Sequence, residues 1–324
     1  MTINTGCIVE AHPLEAGRIG VTSNDFGYQH IHVAGHVPHT PELWLLKIAE
    51  VFGLSGVRFE VSNLAAGIKS SGLGGSATAA TAVALLANAL SGTPFSGEQI
   101  VAIASLIEQD LGVSITGTQE QSNVVFGGVT DYIWYPWGVP GKGGSFGTSV
   151  RQTLLGKVDY SELAARIRIY HTGTERDSTD VNTVWRKRLA DTVGFETHRT
   201  NIRTAYQFRE ALRTKNWSSV ADAIRAYREA RTELCAEYMT SKCWDIQSQC
   251  ERHRAESFPM GAGGGGAVLI YCAMPARLSS LDEILGKVFR NVSFEFRSSG
   301  HELRNIPHEQ LWSRPDPEQA EALT

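Results

Sequence analysis

Residues 70–90 read SSGLGGSATAATAVALLANAL. Gly72, Gly74 and Gly75 remove side chains there, so backbone N–H groups can approach an anion closely. The Ala/Leu-rich run that follows has the character of a helix. Its N-terminal dipole and unpaired N–H groups would face the same anion. Ser76 adds a hydroxyl at the junction, where it could ligate a metal carried by phosphates. The pattern is not the Walker one, which needs Gly-Lys-Ser/Thr after four spacer residues. The plain alternative is a Gly/Ser turn capping a small-residue core helix.

Upstream, residues 57–61 (VRFEV) alternate apolar and charged side chains like a half-buried strand. Residues 41–52 (PELWLLKIAEVF) space apolar residues as a helix, with Thr40 as its expected N-cap. Residues 6–9 and 30–34 alternate as strands. Downstream, residues 97–111 form a second amphipathic helix, 115–128 are turn-rich, and 130–134 read as a strand. Residues 135–147 (YPWGVPGKGGSFG) are the expected surface loop near a domain boundary. Then come a strand at 166–172, helical segments at 180–191, 200–214 and 218–238, and a glycine loop feeding an apolar strand at 261–272. A helical pattern at 278–288 and strand-like alternation at 292–297 follow. Strands and helices interleave in both halves, so the class is mixed, α/β or α+β.

The 324 residues suggest about two domains. With 42% hydrophobic and 20% charged residues the chain is globular rather than disordered or fibrous. A net charge of −4 gives no general nucleic-acid footprint. Five cysteines, an odd count without a CxxC pair, read as reduced thiols. The opening MTINTGCIVEAHPLEAG has neither the basic nor the apolar region of a secretion signal. No apolar run is long enough to span a bilayer. The expectation is a soluble cytoplasmic protein that acts on neither membrane nor nucleic acid.

Three further features carry chemistry. Glu108, on the second helix, and Glu120, in GTQEQSN, are carboxylates that could bind Mg²⁺ or deprotonate a hydroxyl; each taken alone reads more readily as a solvated helix or loop charge. HTGTERDS at 171–178 ends a strand, and its Arg176 could neutralise phosphate. GAGGGG at 261–266 has five glycines in six residues, so something must approach its backbone closely, either a ligand or another loop.

In this order the set resembles the GHMP kinases, and within them the branch containing heptose 7-phosphate kinases and fucokinases. SGLGGSA at 71–77 is similar to the family's phosphate-loop motif GLGSSA, with Gly75 in place of its first serine. GTQEQSNVVFGG at 117–128 resembles the branch's GxQDQ…GG segment, HTGTERDS its YTGxxRxS segment, and GAGGGG the third family motif. The resemblance implies an α+β, two-domain fold. Residues 1–155 would be an ATP-binding domain like domain 2 of ribosomal protein S5, and residues 156–324 a ferredoxin-like domain. It implies ATP and Mg²⁺ as cofactors, with a sugar or sugar phosphate between the domains.

Carried over by position, Ser70, Ser71, Gly72, Leu73, Gly74, Gly75, Ser76 and Ala77 would cradle the nucleotide. Ser76 and Glu108 would hold Mg²⁺, and Glu120 falls on the catalytic aspartate. Gln119, Thr172, Gly173, Arg176, Gly261, Ala262, Gly263, Gly264 and Gly265 would meet the substrate. A homodimer is compatible with the family.

Two departures stand out. The family's opening GGGTD- or GEHTD-like turn does not occur, and residues 6–12, GCIVEAH, resemble the segment after it. Glutamate replaces aspartate at 120. They leave two functions: a sugar kinase, or a catalytically impaired nucleotide- or sugar-binding regulator on the same fold. Turnover against binding without turnover separates them.

Overall fold

In the computed structural model, residues 1–23, 27–64, 73–92, 95–113, 117–134, 149–174 and 178–305 are described. The first half builds a four-stranded sheet from β1 (Cys7–Pro13), β2 (Arg18–Ser23), β3 (Tyr28–Val33) and β4 (Val57–Asn63), in the order β1-β4-β2-β3. β4 runs antiparallel to β1 and parallel to β2. Its alternation turns Phe59 and Val61 into the core and leaves Glu60 exposed. The crossover from β3 to β4 contains α1 (Trp44–Val51), which buries Trp44, Leu45, Leu46 and Ile48. Thr40, expected to cap it, makes no side-chain cap bond. Pro41 opens a 3-10 turn there, closed by Leu43 N–H donating to the Thr40 carbonyl at 3.1 Å.

Helices α2 (Gly75–Ser91), α3 (Gly97–Asp110) and α4 (Gln119–Phe126) pack together over this sheet. α2 buries Ala77, Ala79, Ala80, Val83, Ala84 and Ala87. These small side chains let it sit against α1, α3, α4 and β1 at once. α3 begins with a reciprocal cap: Gln99 N–H donates to Ser96 Oγ at 3.3 Å, and Ser96 N–H to Gln99 Oε1 at 2.8 Å. The segment 115–128, expected to be turn-rich, contains α4. The expected strand at 130–134 is β5 (Val129–Trp134), paired with β6 (Ser149–Leu155); most of the proline- and glycine-rich stretch between them lies outside the described residues.

The second half alternates α5 (Tyr160–Ala164), β7 (Ile167–His171), α6 (Ser178–Arg188), α7 (Thr192–Arg213), α8 (Trp217–Leu234), α9 (Ser241–Arg252), β8 (Glu256–Pro259), β9 (Ala267–Tyr271), α10 (Leu278–Leu285) and β10 (Arg290–Asn291). Its sheet is antiparallel throughout, in the order β10-β7-β9-β8. Tyr170, Cys243, Ile246, Val268 and Leu281 belong to one core of this half. Ile167, Ile169, Leu212, Val220 and Ile224 belong to another. A buried ion pair joins α8 to β8: Arg228 donates to Glu256 Oε2 at 2.8 Å, to Gln247 Oε1 at 2.9 Å and to the Ser257 carbonyl at 3.0 Å. A charge out of water needs this many partners.

Residues 292–297 do not form the expected strand. Only Arg290–Asn291 pairs with β7, and Phe296 makes a single bridge to Ile3. Phe294 and Phe296 instead pack edge to face, ring centroids 5.4 Å apart, against the second-half core. The backbone here is laced to the start of the chain. Thr2 N–H donates to Gly128 O at 3.0 Å, Gly128 N–H to Arg297 O at 2.9 Å, Arg297 N–H to Thr2 O at 2.9 Å and Asn4 N–H to Glu295 O at 2.9 Å. Among the described residues no helix is long and apolar enough to cross a membrane.

Candidate active site

Gly74 is the N-cap of α2 and holds a left-handed backbone, φ 77° and ψ 31°. Thr78 N–H closes the first turn onto its carbonyl at 2.8 Å. A glycine cap has no side chain to satisfy the first N–H groups of the helix, which stay available to an anion. A Cβ at Gly74 would stand 3.1 Å from Glu120 Cγ. The Glu120 side chain therefore lies across the start of α2, brought there from the first turn of α4.

Glu108 faces inward from α3 with no solvent exposure. Gln121 Nε2 donates to its Oε2 at 2.8 Å, while Oε1 has no hydrogen-bond partner. Burial pushes the Glu108 carboxyl up to about 7; hydrogen bonding from Gln121 and from the Ser76 hydroxyl pulls it down, and the Glu120 charge adds to the rise. Ser76, Glu108 and Glu120 thus converge from three helices on one place. The sequence reading missed Gln121. Its signal was present in the GTQEQ spacing, where Glu120 and Gln121 point to adjacent sides of the same helical turn.

This donor set suits a hard divalent cation. It offers a hydroxyl and a carboxylate with an unpartnered, buried oxygen, beside a second carboxylate. No group of three or more His, Cys, Asp or Glu among the described residues could hold a metal unaided. A cation here would draw its remaining ligands from phosphate and water, the usual habit of Mg²⁺.

The second glycine run is committed largely to its own protein. Gly263 has φ 90°, and a Cβ there would collide with the Tyr238 ring. Gly264 N–H donates to Tyr238 O at 3.0 Å, and Gly266 N–H to Thr174 O at 3.1 Å. Arg231, lying over the Trp185 and Tyr238 rings at 4.7 and 5.0 Å, donates to Ala262 O at 3.2 Å. The close approach that the glycines permit is therefore made by Tyr238 and the 172–174 turn. Gly261 is exposed at the rim, while Gly263 and Gly265 are buried.

Thr172 N–H donates to Gly266 O at 2.9 Å, which ties the 172–174 turn to this loop. Among the described residues, Thr172 and Gly173 make no hydrogen bond to Ser76, Glu108 or Glu120. The two sides share a floor instead: Leu73, just before α2, packs against the same core as Met260, just before Gly261. Gln119 is exposed at the head of α4, and Ala77 is buried within α2. Ser70, Ser71, Gly72 and Arg176, singled out from the sequence, lie outside the described residues.

With this geometry in hand, the comparisons with known proteins define a class. Residues 43–128 match the family model described as the GHMP kinases N terminal domain. No curated protein matches the sequence. Among solved structures, Lactococcus lactis galactokinase complexed with galactose is similar over 92% of this chain and 87% of its own, at 16% identity and TM-score 0.66. A D-glycero-D-manno-heptose 1-phosphate kinase from Bacteroides thetaiotaomicron is similar over 94% and 89%, at 16% identity and TM-score 0.63. Streptococcus pneumoniae phosphomevalonate kinase, in complex with phosphomevalonate and AMPPNP, is similar over 90% of each chain, at 11% identity and TM-score 0.67. That match covers residues 43–128, and the solved structures show that the chain has the α+β fold of the GHMP kinase class. Members of that class use ATP to phosphorylate sugars and related alcohols.

Proposed function

We propose that this protein is an ATP-dependent kinase that transfers the γ-phosphoryl group to a hydroxyl of a sugar or sugar phosphate of heptose 7-phosphate or fucose type. The observation that carries the reading is the convergence of Ser76, Glu108 and Glu120 at the glycine-capped start of α2. In this reading residues 1–155 bind the nucleotide and residues 156–324 complete the acceptor side. The protein works as a cytoplasmic enzyme.

The N–H groups at the head of α2 face the phosphates, and Gly74 and Gly75 keep side chains out of their way. Ser76 and Glu108 would hold Mg²⁺, which would supply neutralisation of phosphate charge. Glu108 must then shed the proton that its burial favours. Gln121 assists by donating to the charged form. Glu120 orients the acceptor hydroxyl and accepts its proton as the oxygen attacks phosphorus. Its closeness to the α2 N-cap supports this role, since a phosphate at the head of α2 would lie beside it. The exposed rim at Gly261, with Ala262, Gly263, Gly264, Gly265, Thr172, Gly173 and Gln119, bounds the acceptor in this reading; Arg176, outside the described residues, is carried over from the sequence alone. Such a site accelerates transfer mainly by positioning and electrostatics.

A coupled ADP-release assay over heptose 7-phosphate, fucose, galactose and related acceptors tests the reading. Acceptor-dependent ADP release that disappears in Glu120→Gln is expected. ATP binding without release for any acceptor would point to the regulator instead.

A further inference from the structure

α7 turns one side inward and keeps a row of large side chains outside. Gly194, Thr197, Asn201, Thr204, Ala211 and Leu212 are buried, and the helix packs along α8. Arg209 ties it to β5 through Asp131 at 3.4 Å. On the opposite side, Phe195, Arg199, Ile202, Tyr206 and Arg213 recur at helical spacing and so form one stripe. Phe195 is 52% exposed, Ile202 46% and Tyr206 50%. Three large apolar side chains aligned on one helix and half in water mark a contact surface, where scattered single ones would not. Among the described residues, Arg199, Ile202, Arg203, Tyr206, Gln207 and Glu210 line a shallow groove of about 480 Å³ there.

The charges on this side are arranged symmetrically. Arg199 donates to Glu196 at 3.1 Å near one end, and Arg213 to Glu210 at 2.6 Å near the other. Read inward from the two ends, Arg199 matches Glu210, Ile202 matches Gln207 and Arg203 matches Tyr206, about a midpoint between Thr204 and Ala205. When a second α7 is turned end for end about that midpoint, each glutamate of the stripe meets an arginine. Arg199 lies opposite the partner's Glu210, Glu196 opposite the partner's Arg213, and Arg203 opposite the partner's Tyr206. A two-fold axis requires this self-match, in which one residue meets a second and the second meets the first. Arg203 donates to Thr200 Oγ1 at 3.1 Å and has no carboxylate partner among the described residues, so an aromatic face suits it. A uniformly acidic partner would be repelled at Glu196 and Glu210, and a uniformly basic one at the arginines. A second copy meets neither obstacle.

We propose that the outer side of α7 is the contact surface between two copies of this chain, with their α7 helices antiparallel on a two-fold axis midway between Thr204 and Ala205. Phe195, Ile202 and Tyr206 supply apolar area, and the two charge clusters fix direction and register, as flanking charges do between paired helices. The contact is independent of the kinase reading, since none of these residues belongs to the place where Ser76, Glu108 and Glu120 converge.

Self-association of the full chain is measured by sedimentation velocity over a concentration series, with circular dichroism as the check on folding. The wild type should reach twice the chain mass as concentration rises. Glu196→Arg combined with Arg199→Glu keeps an ion pair within the helix but sets like charges opposite each other across the axis. It should weaken self-association on the order of tenfold or more, because like charges across an interface are costly. Glu210→Arg combined with Arg213→Glu should do the same. A one-to-one mixture of the two double variants should associate as the wild type does, since each swapped half then meets a swapped half and each native half a native one. Ile202→Asp, which puts a charge into the apolar stripe, should leave a folded monomer.

A wild type that stays monomeric at every concentration would overturn the proposal and leave the stripe to a different protein. A dimer that survives the double variants and Ile202→Asp would place the contact on another face. Double variants that fail alone and are not rescued by mixing would overturn the antiparallel register. Should a double variant not fold, Ile202→Asp decides by itself whether this side of α7 makes the contact.

Discussion

Gln121 and Glu108 meet side chain to side chain at 2.8 Å, in a place where neither is exposed to solvent. An amide that donates to a buried carboxylate favours the charged form, and burial opposes it. Burial wins here, with the carboxyl at about 7.

The consequence for stability has a definite sign. Unfolded, this carboxyl titrates at its ordinary value of 4.5, and folded at about 7. The folded protein binds the proton more tightly, so its advantage is complete below 4.5 and is lost as pH rises towards 7. Thermal melts of the ligand-free protein from pH 4.5 to 8 should show a decline from this group on the order of 3 kcal/mol. In Glu108→Gln that component should vanish, and a decline of the same size in the variant would locate it elsewhere. Gln121→Leu should deepen it.

Gly74→Val should abolish nucleotide binding while leaving the protein folded. The position has φ 77°, and a β-branched side chain there is strained and pressed against Glu120 Cγ at 3.1 Å. Calorimetry with AMPPNP reads the affinity, and circular dichroism checks the fold. Wild-type affinity in the variant would mean that the phosphates lie elsewhere.

Glu120→Gln keeps the shape and removes the charge. It should lower kcat on the order of 10²-fold or more, with little change in acceptor KM. Glu120→Asp should retain activity. Should kcat prove indifferent to Glu120→Gln, another residue takes the proton.

Gly263→Ala should be among the most damaging small changes in the chain, because its Cβ has nowhere to go but the Tyr238 ring. A fall in melting temperature of several degrees or more is expected. Tyr238→Leu, itself destabilising through a lost buried ring, should make the second change less costly. Simple additivity of the two losses would show that the ring and the glycine do not meet.

Much of this was legible in the sequence. α2 begins within two residues of where the Gly/Ser loop places it, α3 begins at Gly97 as the helical pattern at 97–111 gives it, and Gly74, Gly75, Ser76 and Ala77 stand at a helix N-terminus. α4 was hidden because it is short and buries Gln121 and Ser122 rather than aliphatic side chains. α9 was missed for the same reason, since its inner face is Cys243, Ile246, Gln247 and Cys250. β8 ends in Pro259, which an edge strand tolerates and a pattern search discounts. The alternation at 292–297 was real, but it serves two phenylalanines packed edge to face and not a ladder. The glycine run at 261–266 announced a close approach without saying by what. Only the fold shows that Tyr238, 23 residues before the loop starts at Gly261, takes most of that space.

The lacing of Thr2 and Asn4 to Glu295, Arg297 and Gly128 has a mechanical meaning. It ties the first residues of the chain, the segment after the last strand and the end of α4 into one knot between the two sheets. A swing of one sheet away from the other must break those hydrogen bonds or pivot on them. Because Phe126 ends α4 two residues before Gly128, the pivot adjoins the helix that carries Glu120. A swing about this pivot would then tilt the Glu120 carboxylate along with the sheet, so that the freedom of the two halves and the alignment of that side chain become a single adjustable quantity.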